Sequence, residues 1–341
     1  MKKILALTCG DPNSIATLIS LKAWLQLRES PYIFVFIGNK NNVDKAISYF
    51  NLSIKTKAIE TSHLQDTKQI SELFKEFFLV LNIDSHIDFE LGKPVVTNAE
   101  YVLQSINTAV KLVEESLVSA IITNPVDKHL IDSYLQEKIS AKKFLGHTEY
   151  LSDISNQKPT TMMFCSNASS LKVVPLTTHV SLKEAINSLS IDFIVDKTLQ
   201  INDFLRKYYK ITTPKIFMLG LNPHSGENGL MGNEEINIIN PAIKKLKELD
   251  LNISGSFPAD SCFSQYNINN SDIIIGMYHD QVLTPFKTLY FDSGVNTTIG
   301  LDFIRTSPDH GVGFNIAKEN IASANSLIAS LEVAYNLVNH E

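Results

Sequence analysis

Three cysteines in 341 residues, Cys9, Cys165 and Cys262, are too few, too widely spaced and wrong in number for a disulfide framework. Each lies beside apolar residues, so reduced, mostly buried thiols of a cytoplasmic protein are expected. No apolar run reaches the ~18 residues of a membrane span. The one leader-like stretch, Met1-Lys2-Lys3-Ile4-Leu5-Ala6-Leu7, has an apolar core that stops at Thr8-Cys9-Gly10-Asp11-Pro12. It reads as a first strand and a turn, not as a signal peptide. Basic residues are not in excess either: 30 Lys+Arg stand against 36 Asp+Glu, a net charge of -6. That argues against a general nucleic-acid binder, which would usually show a basic stripe, so neither nucleic acid nor membrane is an expected partner. No Gly-x-Gly-x-x-Gly occurs, and the three-residue spacing of Gly226, Gly229 and Gly232 is not that fingerprint. Internal repeats, low-complexity tracts and flexible linkers are also lacking.

Hydrophobic residues make up 44% and charged residues 19%, an ordinary globular composition. The length suits about two domains at ~150 residues each. Strand-like and helix-like segments alternate, which predicts an α/β protein with a largely parallel sheet. Strands are expected at 3–8, 32–37, 120–123, 161–164, 171–176, 215–221, 253–257, 273–276 and 297–306. Helices are expected at 14–28, 43–50, 99–117, 181–186, 191–208, 233–249 and 320–339. Periodicity leaves 71–80 open between helix and strand.

The stretch 277–305 concentrates the chemistry. The apolar run Ile273-Ile274-Ile275-Gly276 leads into Met277-Tyr278-His279-Asp280-Gln281, and a loop then carries Lys287, Asn296 and Arg305. Ligands of open α/β sheets bind outside the strands' carboxyl ends. Neutral imidazole binds metal, and Lys and Arg hold anions. His179 in Thr177-Thr178-His179 and His224 in Leu221-Asn222-Pro223-His224-Ser225-Gly226 follow predicted strands in the same way. Together the three histidines suggest a divalent-metal site, although their long spacings fit no local metal motif. Lys287 and Arg305 are read as anion binders or as solvated charges. Asp260 in Pro258-Ala259-Asp260 and Asp280 either orient an imidazole or cap a helix. Asn124-Pro125-Val126-Asp127-Lys128 offers a ligand contact or a plain helix start. Residues alone would permit a three-histidine metal hydrolase.

Several ordered motifs resemble the 4-hydroxythreonine-4-phosphate dehydrogenase family of vitamin B6 biosynthesis. They are Phe144-Leu145-Gly146-His147-Thr148-Glu149, Thr177-Thr178-His179, Leu221-Asn222-Pro223-His224-Ser225-Gly226-Glu227, Met231-Gly232-Asn233-Glu234-Glu235, Pro258-Ala259-Asp260, Met277-Tyr278-His279-Asp280-Gln281, Gly294-Val295-Asn296 and Phe303-Ile304-Arg305-Thr306-Ser307. The resemblance implies an isocitrate/isopropylmalate-dehydrogenase-like fold, with two α/β/α domains, the active site in the interdomain cleft, and a homodimer that shares residues across its interface. The domains would be 1–145 with 306–341, on the cofactor side, and 146–305, on the metal, substrate and dimerisation side. It implies His179, His224 and His279 as ligands of one divalent ion (zinc, magnesium or cobalt). His147, Thr148, Lys287, Asn296 and Arg305 would contact a phosphorylated amino-acid substrate, and Lys287, Asp260 and Asp280 would serve catalysis. By analogy with the wider fold, Asp309, His310 and Gly311 would lie against NAD or NADP. The implied reaction oxidises 4-phosphooxy-L-threonine with decarboxylation to 3-amino-2-oxopropyl phosphate.

The sequence departs from the family in two places. The usual Gly-Asp-Pro-x-Gly-Ile-Gly-Pro-Glu becomes Gly10-Asp11-Pro12-Asn13-Ser14-Ile15-Ala16-Thr17-Leu18, and Asp-His-Gly-Thr becomes Asp309-His310-Gly311-Val312, with Lys318 at a later glycine. If the first loop needs positive φ, Ser14 and Ala16 would reshape it. These departures keep two alternatives in view: a paralogue acting on threonate or erythronate 4-phosphate, and a catalytically weak metal- and ligand-binding relative.

Overall fold

The computed structural model describes residues 3–139, 144, 146–155 and 159–339. Leu145 of the Phe144–Glu149 motif, and with it the expected boundary at 145, lies outside these residues. The chain forms two compact units, Met1–Pro159 with Leu301–Asn339, and Thr160–Gly300. Residues 146–159 and 301–305, expected on the metal side, thus group with the first unit. The cause is local pairing: Arg305 is in register with Ile121, and Tyr150, on the helix His147–Ile154, donates from its hydroxyl to Asn107 Oδ1 at 2.9 Å.

The first unit holds strands β1 (Ile4–Thr8), β2 (Ile33–Gly38), β3 (Thr56–Ile59), β4 (Phe78–Asn82), β5 (Ala120–Ile122) and β12 (Ile304–Pro308). Their order is β3-β4-β2-β1-β5-β12, with every pairing within the unit parallel. β1 and β2 are buried along their whole length, as continuous apolar runs covered on both faces should be. Trp24, on the helix Ala16–Leu27, is buried, packs edge-on against Phe78 and donates from its indole N–H to the Phe74 carbonyl at 2.8 Å. The open stretch 71–80 is both structures in turn: a helix, Thr67–Glu76, capped by Asp66, and then β4. The apolar side chains Ile70 and Phe74 serve the helix face, while Phe78 to Leu81 are buried in sequence along the strand.

The second unit holds β6 (Thr161–Ser166), β7 (Lys172–Thr177), β8 (Ile216–Leu219), β9 (Ile253–Phe257), β10 (Ile273–Tyr278) and β11 (Gly294–Ile299), in the order β11-β6-β7-β10-β8-β9. β7, β10, β8 and β9 run parallel, whereas β6 is antiparallel to both β7 and β11. The four parallel strands therefore deliver their carboxyl ends to one edge, where His179, His279, His224 and Asp260 follow. The helix His279–Tyr290 closes the core there. Val282, Leu283 and Phe286 pack among Ile274, Val173, Leu219 and Phe164, each full burial contributing roughly 1.5–3 kcal/mol.

The sequence reading of 277–305 as a strand followed by a loop is corrected here. Lys287 lies on that helix, Asn296 in β11 and Arg305 in β12. The helix forms despite Pro285 because its apolar positions repeat at helical spacing. The expected strand 297–306 is likewise two strands, β11 and β12. Among the described residues, no helix is long and apolar enough to cross a membrane.

Candidate functional site

In the second unit the sheet itself sets the first two histidines. Thr177 pairs with Tyr278 across β7 and β10, and Thr177 Oγ1 donates to the Met277 carbonyl at 2.8 Å. His179 and His279 leave these adjacent strand ends with ring centroids 6.2 Å apart. Two imidazoles on one cation, bonded at about 2.0–2.1 Å, would have centroids about 5 Å apart, so a small side-chain rotation closes the difference. His279 Nδ1 lies 2.6 Å from Asp280 Oδ1, which leaves Nε2 as the donor and gives Asp280 the orienting role of its two readings. The pair lines a cavity of about 310 Å³ with Thr177, Val180, Leu182, Ala185, Tyr278 and Asp280.

His224 stands on a different kind of support. Residues 224–229 are all left-handed: φ is 52° at His224, 53° at Ser225, 75° at Gly226, 42° at Glu227, 55° at Asn228 and 94° at Gly229. Non-glycine residues adopt this conformation at a cost of roughly 1–2 kcal/mol each, so something must hold it. Buried Glu235 accepts from the Leu221 and Asn222 amides at 2.7 and 2.8 Å and from Asn222 Nδ2 at 2.9 Å. Ser225 Oγ donates to Ser256, and Gln281 ties the Gly220 carbonyl to the Met277 amide, both at 2.7 Å. Among the described residues no three His, Cys, Asp or Glu side chains converge as a metal cage. His224 is therefore not brought to the His179–His279 pair within the described chain.

Asp260 is exposed in the first turn of the helix Ala259–Cys262, which has no side-chain cap, so the capping reading is not realised there. Lys287 stands eight residues beyond His279 on the same helix, about 12 Å along its axis. Asn296 is half-buried, and its Oδ1 is buried without a hydrogen-bond partner among the described residues.

In the first unit, Arg305 is not a solvated charge. It is 2% exposed, and its Nε and Nη2 donate to Thr123 Oγ1 at 3.1 and 2.5 Å. Burial lowers its pKa to about 10, against the Glu149 carboxylate, which raises it. His147 opens the helix His147–Ile154, with Thr148 buried behind it. Burial first, then the charges of Arg305 and Lys128, push His147 well below its ordinary range, so it is neutral. Its Nε2 is buried without a partner among the described residues, as is Glu149 Oε2. Asp309, His310 and Gly311 leave the carboxyl end of β12. The Asp309 amide donates to Ser326 Oγ, and Gly311 faces open space with nothing within 4 Å of a built Cβ. A strand end carrying a carboxylate, an imidazole and an uncrowded glycine suits the approach of a nucleotide.

The altered first loop is held by hydrogen bonds of its own residues. Only Gly10 is left-handed there, at φ 66°, and a Cβ on it would stand 2.7 Å from Ala16 Cβ and from Asn124 Cβ. Ser14 Oγ donates to the Asp11 carbonyl at 2.7 Å and accepts from the Ala16 amide at 3.0 Å. Asn13 Nδ2 donates to the carbonyls of Asp88 and Lys93, and the Ile15 amide donates to the Val312 carbonyl. Asp11 is buried, and burial, together with Asp127, raises its pKa to about 7. In the 124–128 stretch Asp127 caps the following helix, and Asn124 Nδ2 is bonded to the Thr8 carbonyl and to Ser20. The sequence reading did not single out Lys128 as a charge, Thr123 as the Arg305 partner, or Glu235 and Gln281 as supports. Glu149 stood in a quoted motif, but nothing in the sequence marks its buried oxygen.

A protein from Sulfurihydrogenibium sp. (strain YO3AOP1) named 4-hydroxythreonine-4-phosphate dehydrogenase is 37% identical over 330 residues, 97% of each chain. The solved 4-hydroxythreonine-4-phosphate dehydrogenase of Klebsiella pneumoniae superposes with a TM-score of 0.85 at 30% identity, over 99% of this chain and 98% of that one. A more distant β-decarboxylating dehydrogenase from Thermococcus kodakarensis has a TM-score of 0.50 at 9% identity, over 98% and 83% of the two chains, and shares the fold alone. Residues 30–334 match the family described as Pyridoxal phosphate biosynthetic protein PdxA, and the chain belongs to that family.

Proposed function

We propose that this protein oxidises 4-phosphooxy-L-threonine with NAD or NADP and a divalent metal, releasing carbon dioxide and 3-amino-2-oxopropyl phosphate. The dehydrogenase names of its relatives make it an oxidoreductase; substrate, cofactor and metal are the proposal. The observation that carries it is the His179–His279 pair, with Asp280 fixing the His279 tautomer, at the carboxyl ends of β7 and β10. Imidazole donors suit zinc or cobalt better than magnesium.

A bound divalent cation would lower the pKa of the substrate's secondary hydroxyl and draw electrons from the carbon that loses carboxylate. Asp280, against His279 Nδ1, would leave the imidazole's Nε2 to hold the cation. Asp260, exposed at the end of β9, can accept the hydroxyl proton. A nicotinamide cofactor, if bound, would lie along Asp309, His310 and Gly311 and would supply the hydride acceptor. Loss of carbon dioxide from the resulting 3-oxo acid leaves an electron pair that takes up one proton. Lys287 and Arg305 neutralise phosphate or carboxylate charge, Asn296 Oδ1 can accept a hydrogen bond from the substrate, and His147 with Thr148 completes its recognition.

His224 does not join the pair within one chain, so a three-imidazole site requires a homodimer. Exposed apolar residues flank the histidines, Val180 and Leu182 beside His179, and Leu230 (82% exposed) and Met231 beyond His224. Such clusters favour a covered surface. Mixing and refolding the inactive variants His279→Ala and His224→Ala tests this, because mixed dimers would regain one intact site. Activity that recovers supports sharing, and none after confirmed dimer exchange refutes it. The function itself is tested by NADH absorbance with 4-phosphooxy-L-threonine, with chelator and after metal is restored. Metal-dependent absorbance supports the reading, and a flat trace from folded, metal-loaded protein overturns it. A faster rate with threonate or erythronate 4-phosphate would instead make the chain a paralogue.

A further inference from the structure

In the first unit, residues 83–95 run from β4 to the short turn Val96–Asn98 as a strap without a strand or helix of its own. Leu91 is its one buried side chain, so hydrogen bonds do more than apolar burial to hold it. Four of them end on Asn13, whose side chain is fully enclosed. Asn13 Nδ2 donates to the Asp88 and Lys93 carbonyls, each at 3.0 Å, and Oδ1 accepts from the Glu90 amide at 2.9 Å. The Asn13 carbonyl accepts from the Gly92 amide at 2.7 Å. Both amide hydrogens and the side-chain oxygen are thus engaged by one strap. The same strap and the loop that carries Asn13 both lean on residues 312–318. From the loop, the Ile15 amide donates to the Val312 carbonyl at 3.1 Å, and a Cβ built on Gly313 would stand 3.1 Å from Ile15 Cγ2. From the strap, a Cβ built on Gly92 would stand 3.0 Å from the Phe314 carbonyl oxygen and 3.4 Å from Lys318 Cε. Glycine at 92 therefore lets the strap lie directly on the turn Phe314–Ile316. That turn continues Asp309, His310 and Gly311, where the cofactor is placed.

We propose that Asn13 is a positioning residue for the nicotinamide cofactor, a latch that holds the strap 88–93 on residues 312–318 and so fixes the wall against which the nucleotide rests. The assignment rests on the dehydrogenase reading and deepens it. Neither Asn13 nor the strap has to touch the cofactor. Without the latch the strap keeps its tie to Asn98, which bonds the Asp88 amide at 2.9 Å and the Asp88 carbonyl at 3.1 Å, but it no longer closes on 312–318. Binding must then select the closed fraction, so affinity falls by that fraction. The reacting atoms, once bound, are arranged as before, so the loss belongs to KM and Kd for the cofactor and not to kcat.

The test compares wild type, Asn13→Ala and Gly92→Ala. Affinity is read by calorimetric titration with NAD and with NADP in the absence of substrate, strap opening by peptide-resolved hydrogen exchange, and KM and kcat for the cofactor by near-ultraviolet absorbance. Asn13→Ala should raise Kd and KM for the cofactor roughly 10-fold, the factor for a strap closed about a tenth of the time, with kcat within about threefold of wild type. Exchange in 86–93 should speed up in both variants, and bound NAD should slow it in wild type. Gly92→Ala crowds the same wall from the strap side and should move Kd in the same direction. Faster exchange in Asn13→Ala with Kd unchanged would overturn the proposal, and so would a loss confined to kcat. If thermal melting shows that Asn13→Ala does not fold, Gly92→Ala decides between the same outcomes. Wild type that binds the cofactor but turns over no substrate would defeat the dehydrogenase reading, while the Kd comparison still decides the latch. Wild type that binds neither NAD nor NADP overturns the latch itself.

Discussion

The histidine edge of the second unit and the charged group of the first unit solve different problems. His279 is partly open, its side chain 43% exposed, and its neighbour Asp280 is more open still. Arg305, by contrast, is almost wholly enclosed, and its surroundings push His147 to neutrality and lower Arg305 itself. A cation needs donors it can reach and replaceable water, so on the proposed reading accessible imidazoles would serve one. Recognition of a charged substrate gains from a dry setting, where each charge interacts more strongly but must be matched. The two regions should therefore fail differently when damaged.

The largest expected effect is on the open edge. His279→Ala, or treatment with chelator, should lower NADH formation by at least about 10³-fold, since Lewis-acid stabilisation contributes several kcal/mol. Metal added back should rescue the chelated wild type and not the variant. Next comes Arg305→Lys in the enclosed group. Lysine cannot reproduce two donors to Thr123 and a planar face to an anion, so kcat/KM should fall roughly 10- to 100-fold, with bound metal unchanged. Loss of metal in that variant would erase the distinction between the regions. Asp280→Asn should weaken metal affinity by about 10-fold or more through the imidazole it orients, which calorimetric titration with zinc checks.

The smallest effect concerns stability. Asp11 has a folded pKa raised from 3.8 to about 7. Between those values the folded chain holds a proton that the unfolded chain has released, so stability falls as pH rises from 3.8 to about 7 and stays reduced above it. Asp11→Asn should then raise Tm by several degrees at pH 8 and change it little near pH 4. An equal effect at both values would contradict a carboxylate whose pKa burial raises.

Much of this was legible in the sequence for a definite reason. His179 and His279 each follow a continuous apolar run, and parallel strands must end at one edge, so their meeting follows from topology. The exact support of His224 was not legible, because a left-handed run through Ser225, Glu227 and Asn228 contradicts local preference and exists through Glu235, a residue outside the run. Lys287, Asn296 and Arg305 were placed on a loop because Pro285 masks the helical spacing of Val282, Leu283 and Phe286, and because β11 and β12 read as one strand. The missing glycines at Ser14 and Ala16 suggested a reshaped first loop. In this chain the loop has left-handed backbone only at Gly10, and Ser14 supplies hydrogen bonds that no spacing reveals. The buried, unpartnered oxygen of Glu149 is likewise something no spacing reveals.

The most direct test of the account is the visible absorption spectrum of the cobalt-loaded protein, recorded for wild type, His179→Ala, His279→Ala and Asp260→Ala. The account predicts a d–d band from imidazole ligation in wild type and in Asp260→Ala, lost or strongly shifted when either histidine is removed. The same band in all four proteins would contradict a metal centre built on the His179–His279 pair.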